Sequence, residues 1–438
     1  MTRVDTAACE SRIAPEGIQM NRRACAVLVV ASAACGDKAG RITIETTNPP
    51  ALVAFRNESS AQWQSLATTG TSTFHVDATG PYRVVIACSA SIIGNTTGEI
   101  ARTPDDDPEV RYTCQDQPFR VTGQMTQPGA VAVGPTTAIN AGTSAPWTFN
   151  LPVAAGSFDI VLLFRDPAGG PRLAIRRDVA ISGDTDLGVL DATSESAQAM
   201  VPMSFTASGL ESGEVKSIFV TLYTASTTAL LTLTGTPNTW DAALAPDAAL
   251  RSTDRQNLVL SAGLAAGSQN RFRGVRHDIH IGDTTSLALP AAIGSVQFDM
   301  TAARLAATLP AGTDYDQFVL VREGQPIGRQ GLSVQTAVFS RNFVDATGGT
   351  AVLELGSVPG YMTDWGPDPA FPQIRQASVS RGSSTADSTT SGVSQSNVMV
   401  QGFRAPDAPA GVAAARGLAA SDEPAVFIAD DVAAFAPR

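Results

Sequence analysis

Lysine is almost missing from this chain. Lys38 and Lys216 are the only lysines among 438 residues, and arginine carries the remaining positive charge. With a net charge of -11, nucleic acid is excluded as a partner, because phosphate neutralisation needs clustered Lys and Arg. The acidic excess is spread along the chain, which points to solubility rather than to steering of a ligand. Three histidines and 6% aromatics leave little material for metal clusters or stacked sugar platforms. No apolar run reaches the ~20 residues of a membrane-crossing helix. Long helical periodicity is absent. So are the Gly-x-Ser-x-Gly elbow, the His-Glu-x-x-His helix and the phosphate-binding glycine loop. Against these absences, 43% hydrophobic and 16% charged residues are enough for packed cores and too few charges for a disordered chain. The length predicts two to four domains at roughly 100–200 residues each.

The N-terminal region carries the clearest signal. Met20-Asn21-Arg22-Arg23 is a short basic start, and Ala24 to Ala34 follows as an uncharged apolar run. A basic start, a short apolar stretch and small residues before a cut form the pattern of a secretory signal. Residues 1–34 are therefore read as a signal peptide. Asp5, Glu10 and Glu16 do not suit such a segment, so Met20 is the better start. Ser32-Ala33-Ala34-Cys35 resembles the bacterial lipobox, in which the cysteine thiol is joined to diacylglycerol and becomes the new N-terminus. That family prefers Leu where Ser32 stands. Ala31-Ser32-Ala33 also suits an ordinary signal peptidase, so plain secretion stays open beside lipidation of Cys35. The resemblance implies a membrane contact through an N-terminal lipid anchor, in the cell envelope at the outer membrane. Periplasmic or secreted location is the alternative.

Export shapes the reading of the cysteines. Cys9 and Cys25 fall in the discarded part. Cys88 follows the strand-like Tyr82 to Ala87, and Cys114 follows Val110 to Thr113. Two cysteines ending neighbouring strands in an oxidising compartment are expected to pair. Two buried free thiols are the alternative.

Strand patterns dominate the rest. Ile218, Val220 and Leu222 alternate with Phe219, Thr221 and Tyr223; Leu231 and Leu233 alternate with Thr232 and Thr234; Phe318 to Val321 is a short apolar run. Gly, Pro, Asn and Asp interrupt these at the spacing of a β-sandwich. Trp240 to Leu250 and Thr301 to Leu309 are each expected to hold a short helix.

Two internal echoes add to the propensities. Phe74-His75-Val76 with Gly80-Pro81-Tyr82-Arg83-Val84-Val85-Ile86 matches Phe149-Asn150-Leu151 with Gly156-Ser157-Phe158-Asp159-Ile160-Val161-Leu162. Arg176 to Thr185 matches Arg276 to Thr284, with one residue fewer. At the first echo, and at Val121-Thr122-Gly123, the chain resembles the carboxypeptidase-regulatory-like and transthyretin-like (Ig-like) sandwiches of exported bacterial proteins. The resemblance implies tandem β-sandwiches with structural or adhesive work and no shared catalytic residues. The expected fold class is therefore all-β. Sandwich domains are expected at 35–117, 118–193, 194–293 and 294–403, followed by a disordered tail at 404–438. Ser378 to Ser396 reads as a long loop or linker, and Asn397 to Phe403 as a returning last strand.

The candidate chemistry is thin. Asp105-Asp106-Asp107 with Glu109 is the densest acidic run. Its default is a solvated loop, and calcium ligation is the sharper alternative. Gly183-Asp184-Thr185 and Gly282-Asp283-Thr284 read as turns in which Asp and Thr bond their own backbone. His277 and His280 point to opposite faces of a strand and do not share a metal. His75 pairs with Asp77 on a surface. Trp63, Trp147, Trp240 and Trp365 are spaced as one core tryptophan per sandwich. No cofactor is expected. The reading is a non-enzymatic, lipid-anchored envelope protein whose partner is an envelope protein or polysaccharide. The alternatives are an exported glycosidase-like hydrolase with a carboxylate pair between domains, and a calcium-dependent adhesin.

Overall fold

Thr73–Ala78 shows how this sequence makes its strands. Phe74, Val76 and Ala78 are buried, while Thr73, His75 and Asp77 between them are exposed. That period of two gives one oily face to a core and one polar face to water. Repeated through the chain, it produces an all-β protein of tandem sandwiches. The structure is a computed structural model. It describes residues 40–381 and 425–435, apart from 47–48, 61, 91–93, 107, 113, 115–117, 135, 141–145, 167–169, 233, 236–238, 267–268, 284–285, 292–295, 302–303, 327–332 and 369–372. Cys35 and the signal segment lie outside the described residues, as does the Asn397–Phe403 strand.

The strands fall into four units. Unit 1 holds β1 (Gly40–Thr46), β2 (Leu52–Asn57), β3 (Gln64–Leu66), β4 (Thr73–Ala78), β5 (Tyr82–Ala90), β6 (Gly94–Arg102) and β7 (Glu109–Tyr112). Unit 2 holds β8 (Phe119–Met125), β9 (Gly129–Val133), β10 (Thr136–Asn140), β11 (Trp147–Val153), β12 (Gly156–Asp166), β13 (Gly170–Ile181) and β14 (Thr185–Leu190). β15 (Gln198–Ala199) then pairs with β13 at the unit's edge. Unit 3 holds β16 (Val201–Ser208), β17 (Val215–Tyr223), β18 (Thr228–Thr232), β19 (Thr234–Gly235), β20 (Thr239–Leu244), β21 (Arg255–Ala266), β22 (Gln269–Asp278) and β23 (Ser286–Ala288). Unit 4 holds β24 (Gln297–Met300), β25 (Arg304–Thr308), β26 (Gln317–Gly324), β27 (Ser333–Ser340), helix α1 (Arg341–Ala346), β28 (Thr350–Glu354), β29 (Gln373–Arg381) and β30 (Ala425–Phe435).

All four units share one plan. The inner sheets run β3-β2-β5-β6, β10-β9-β12-β13, β18-β17-β21-β22 and β27-β26-β29-β30. The companion sheets run β4-β1-β7, β11-β8-β14, β20-β16-β23 and β28-β25-β24. In units 1 to 3 the last companion strand is parallel to the central one. In unit 4 it is antiparallel, because β24 precedes β25 as a hairpin arm. The first echo falls on β4–β5 and β11–β12. Gly80 and Gly156 before the second strand of each pair have matching φ of 157° and 156°. The second echo falls on the last inner strands, β13 and β22.

The units do not sit as beads on a string. One twelve-stranded sheet joins the inner sheets of units 3, 4 and 1, with β22 against β30 and β27 parallel to β6. The inner strands β5 and β12 are buried on both faces. Val84, Ile86 and Cys88 of β5 face the core of unit 1, while Val85 and Ala87 join Phe318, Phe339 and Phe343 of unit 4. Ile160, Leu162 and Phe164 of β12 face the core of unit 2, while Val161 and Leu163 join Val220, Leu258 and Leu260 of unit 3. This is why Ile160 to Phe164 is unbroken apolar sequence rather than alternating.

Three expectations need correction. Residues 425–435 form β30 instead of a disordered tail, so the fourth unit extends past 403. Ala425-Val426-Phe427-Ile428-Ala429 is itself a strand-like apolar run, and two open sheet edges offer it a place. The short helices do not form: Thr239–Leu244 and Arg304–Thr308 are strands, leaving one 3-10 turn at Asp247–Ala249. A short apolar run fits either state, and at Leu305 to Ala307 pairing with β24 and β28 decides it. Among the described residues the α-helix is α1, started by Ser340, whose hydroxyl accepts from Phe343 N.

Candidate functional site

The paired cysteines are placed as expected. Cys88 lies near the end of β5 and Cys114 just beyond β7, and they form a disulfide with Cα atoms 5.3 Å apart. The bond ties the inner sheet of unit 1 to its companion sheet and closes a loop of 26 residues.

The acidic run is engaged within the chain. Asp106 Oδ2 accepts from Thr103 N at 2.7 Å, from the Thr103 hydroxyl at 2.9 Å and from the Ser340 hydroxyl at 2.6 Å. Its Oδ1 accepts from Asn342 Nδ2 at 2.9 Å. Asp106 therefore ties the loop after β6 to the start of α1 in unit 4. Asp105 is exposed, Glu109 starts β7 half-buried, and Asp107 lies outside the described residues. No group of three or more His, Cys, Asp or Glu is placed to hold a metal among the described residues.

Thr185 and Asp283 bond their own turns as expected, but Asp184 departs from that expectation and bonds a residue 64 positions away in β8. Asp184 Oδ1 accepts from Arg120 N at 2.8 Å, and the Thr185 hydroxyl donates to Gly183 O at 2.9 Å. Asp283 Oδ2 accepts from His280 N at 2.7 Å. His280 is exposed, with its ring 3.6 Å from Asp283. His75 faces solvent, 3.3 Å from the Thr43 hydroxyl. Trp365 is buried, while Trp63 and Trp147 are partly buried against the cores of their neighbourhoods.

The most constructed polar sites are ones that sequence reasoning did not single out. They are two seams between units. At the seam of units 2 and 3, β13 bulges so that Arg177 and Asp178 oppose the single residue Asp159. Asp178 takes a left-handed φ of 54°. Arg177 donates to Asp159 at 3.0 Å, to Asp254 at 2.6 Å and to Ala249 O at 2.7 Å. Asp159 and Asp254 side chains are fully buried. The Asp159 carbonyl accepts from the Thr227 hydroxyl, and Asp159 N donates to Ser226 Oγ at 2.7 Å. Gly134 N donates to Thr227 Oγ1, and Thr228 N returns a bond to Gly134 O, each at 2.9 Å.

At the seam of units 1 and 4, Arg83 donates to Glu99, to Glu58 at 2.9 Å and to Val352 O at 2.8 Å. Its guanidinium lies 4.9 Å from the Phe343 ring centre. Arg56 reaches Glu58 from the other side at 2.8 Å, so two cations meet two carboxylates. Burial works to lower Arg83, but Glu99 and Glu58 outweigh it and keep the guanidinium charged. Burial pushes the Glu99 carboxyl up despite its partner. A third buried cation, Arg273, forks onto Glu214 at 2.8 and 2.6 Å and also caps Gly209 O and Pro290 O.

Glu323 is different. It lies on β26 opposite Val334, on the face that holds Val319, Val321 and Val338. Among the described residues its Oε1 has no hydrogen-bond partner, and burial pushes its carboxyl up to about 7. For Arg83, Asp159 and Glu323 the sequence shows a charge inside an apolar strand, in Tyr82-Arg83-Val84, Phe158-Asp159-Ile160 and Val321-Arg322-Glu323, but it does not show the partner.

No family model matches the chain. No curated protein sequence matches it either. Among solved structures, one similar in part is the crystal structure of the FN1–FN3 domains of chicken CNTN1. It has 8% identity over 57% of this chain and 84% of that chain, with a TM-score of 0.14. A likeness that slight carries no argument, and the sandwich class rests on the strand topology above. No helix among the described residues is long and apolar enough to cross a membrane.

Proposed function

We propose that the chain is a non-enzymatic, lipid-anchored envelope protein in which four fused sandwiches form one stiff body. The observation that carries this is where the buried charges go. Asp159, Asp254, Arg177 and Arg83 each join one unit to another, and Glu99 holds Arg83 at its seam. Such seams suit a spacer that holds its end loops and strand edges in fixed positions. Binding there needs no fixed residue motif, and the partner in this reading is an envelope protein or polysaccharide. The anchor is Cys35, after a signal peptide of residues 1–34. Fractionation with a radiolabelled fatty acid tests it, comparing the wild type with Cys35→Ala. The wild type is expected in the membrane fraction with label, and the variant without label in the soluble fraction. A wild type that takes no label, or a variant that keeps it, overturns the anchor.

A further inference from the structure

The first strand and the last companion strand of units 1, 2 and 3 are parallel neighbours. β1 runs beside β7 from Thr43↔Glu109 to Thr46↔Tyr112, β8 beside β14 from Val121↔Thr185 to Met125↔Leu190, and β16 beside β23 from Thr206↔Ser286 to Ser208↔Ala288. The chain therefore enters each unit at one end of this pair and leaves at the other. In unit 1 it enters at Gly40 and leaves at Tyr112, which lies beside Thr46. At ~3.3 Å per residue, the two ends of β1 lie about 20 Å apart along the strand.

Tension between these two points runs lengthwise along β1. It loads the bonds to β7 together, and the six register pairs with β4 share the load. A pull at one end across the pair would open the same bonds one after another. Thr43 N also donates to Pro108 O at 2.9 Å, just ahead of β7. β7 is not free to leave with β1, because the Cys88–Cys114 disulfide ties the chain just beyond it to β5 of the inner sheet. β5 in turn is buried against the core of unit 1 on one face and against unit 4 on the other. We propose that β1 is a load-bearing strand, which passes tension from an N-terminal attachment into the fused body without opening unit 1. The source of the tension rests on the anchor reading above; the strand geometry does not.

Optical-trap pulling of the full-length, unlipidated chain tests it, with Cys9 and Cys25 changed to Ser. One maleimide handle sits on Cys35 and the other on Ser212→Cys, in the exposed turn between β16 and β17. The comparison chain carries Cys35→Ser and takes its first handle on Pro49→Cys, an exposed position beyond the other end of β1. The same bonds are then pulled from the end at which β7 leaves the unit. Forced unfolding reads the barrier rather than the equilibrium stability, so the handle on Cys35 is expected to need roughly twice the force to open unit 1. Reductant identifies that event, because freeing the closed loop of 26 residues lengthens it by about 90 Å. Equal forces from the two handles, a lower force at Cys35, or no event that lengthens in reductant would each overturn the proposal. A chain that takes no lipid label leaves the force ratio standing, so the two readings fail separately.

Discussion

Arg83 and Asp159 stand at the same place in two successive units, each directly after the aromatic residue of the strand that follows a Gly turn. Each carries the charge that joins its unit to another: Arg83 to Val352 O of unit 4, Asp159 through Arg177 to Asp254 of unit 3. The position is shared and the sign is opposite. What the plan conserves between these two units is a polar reach out of an otherwise apolar strand.

The two seams differ in how much they lose with one partner. Arg177→Met leaves Asp159 and Asp254 buried without a cation. Removing one partner of a buried pair costs about 3–5 kcal/mol. Glu99→Gln leaves Arg83 still bonded to Glu58 and Val352 O, so its cost is expected at roughly 1–3 kcal/mol. Urea unfolding of both variants checks the order. Equal losses, or a larger loss for Glu99→Gln, would show that the seam of units 2 and 3 is not the tighter one.

The disulfide closes a loop of 26 residues inside a unit that already has a packed core. On the chain-entropy account, losing it costs roughly 3 kcal/mol. The double variant Cys88→Ser/Cys114→Ser is expected to fold, with a lower urea midpoint. The wild type in reductant is expected to shift by the same amount. A reductant that leaves the midpoint unmoved would argue that the bond adds nothing to the folded chain.

Much of this architecture was legible in the chain. The echo of Phe74–Ile86 in Phe149–Leu162 picks out equivalent strands, and Arg176–Thr185 and Arg276–Thr284 pick out the last inner strand of two units. The residues that fix the seams were not. Arg83, Glu99, Asp159 and Arg177 have the composition of surface residues, and only a partner distant in sequence explains their burial. Val352 is far from Arg83 along the chain, and no local pattern links them. β30 was missed for a related reason: Ala425–Phe435 follows a stretch rich in Ala, Pro and Gly, and its partners β22 and β29 are remote.

Asp106 reads as part of a cation-binding loop only without its neighbours in unit 4. With Thr103, Ser340 and Asn342 all donating to it, the carboxylate is already served. Calcium at millimolar concentration is expected to leave the melting temperature unchanged. Asp106→Ala is expected to lower stability by roughly 1–3 kcal/mol, with or without calcium, because it strips the acceptor from those donors. Thermal melts in calcium and in chelator decide the matter. A calcium-dependent rise that Asp106→Ala abolishes would restore a metal role to the acidic run.

Glu323 gives the chain a stability that depends on pH in a known direction. Its carboxyl titrates near 7 in the folded chain against an ordinary 4.5, with burial as the cause. A raised folded value means that the folded chain holds the proton more tightly than the unfolded chain does. The resulting stability is fully present below pH 4.5. It drains away as pH rises towards 7 and is gone above that. Ionisation among Val319, Val321 and Val334 is the physical cost. Glu323→Gln keeps the shape and removes the titration. It is expected to match the wild type near pH 4 and to be more stable by roughly 3 kcal/mol near pH 8. Urea unfolding across that range reads the difference directly. A gap between variant and wild type that stays constant with pH would mean the carboxyl reaches solvent or a partner and ionises at its ordinary value.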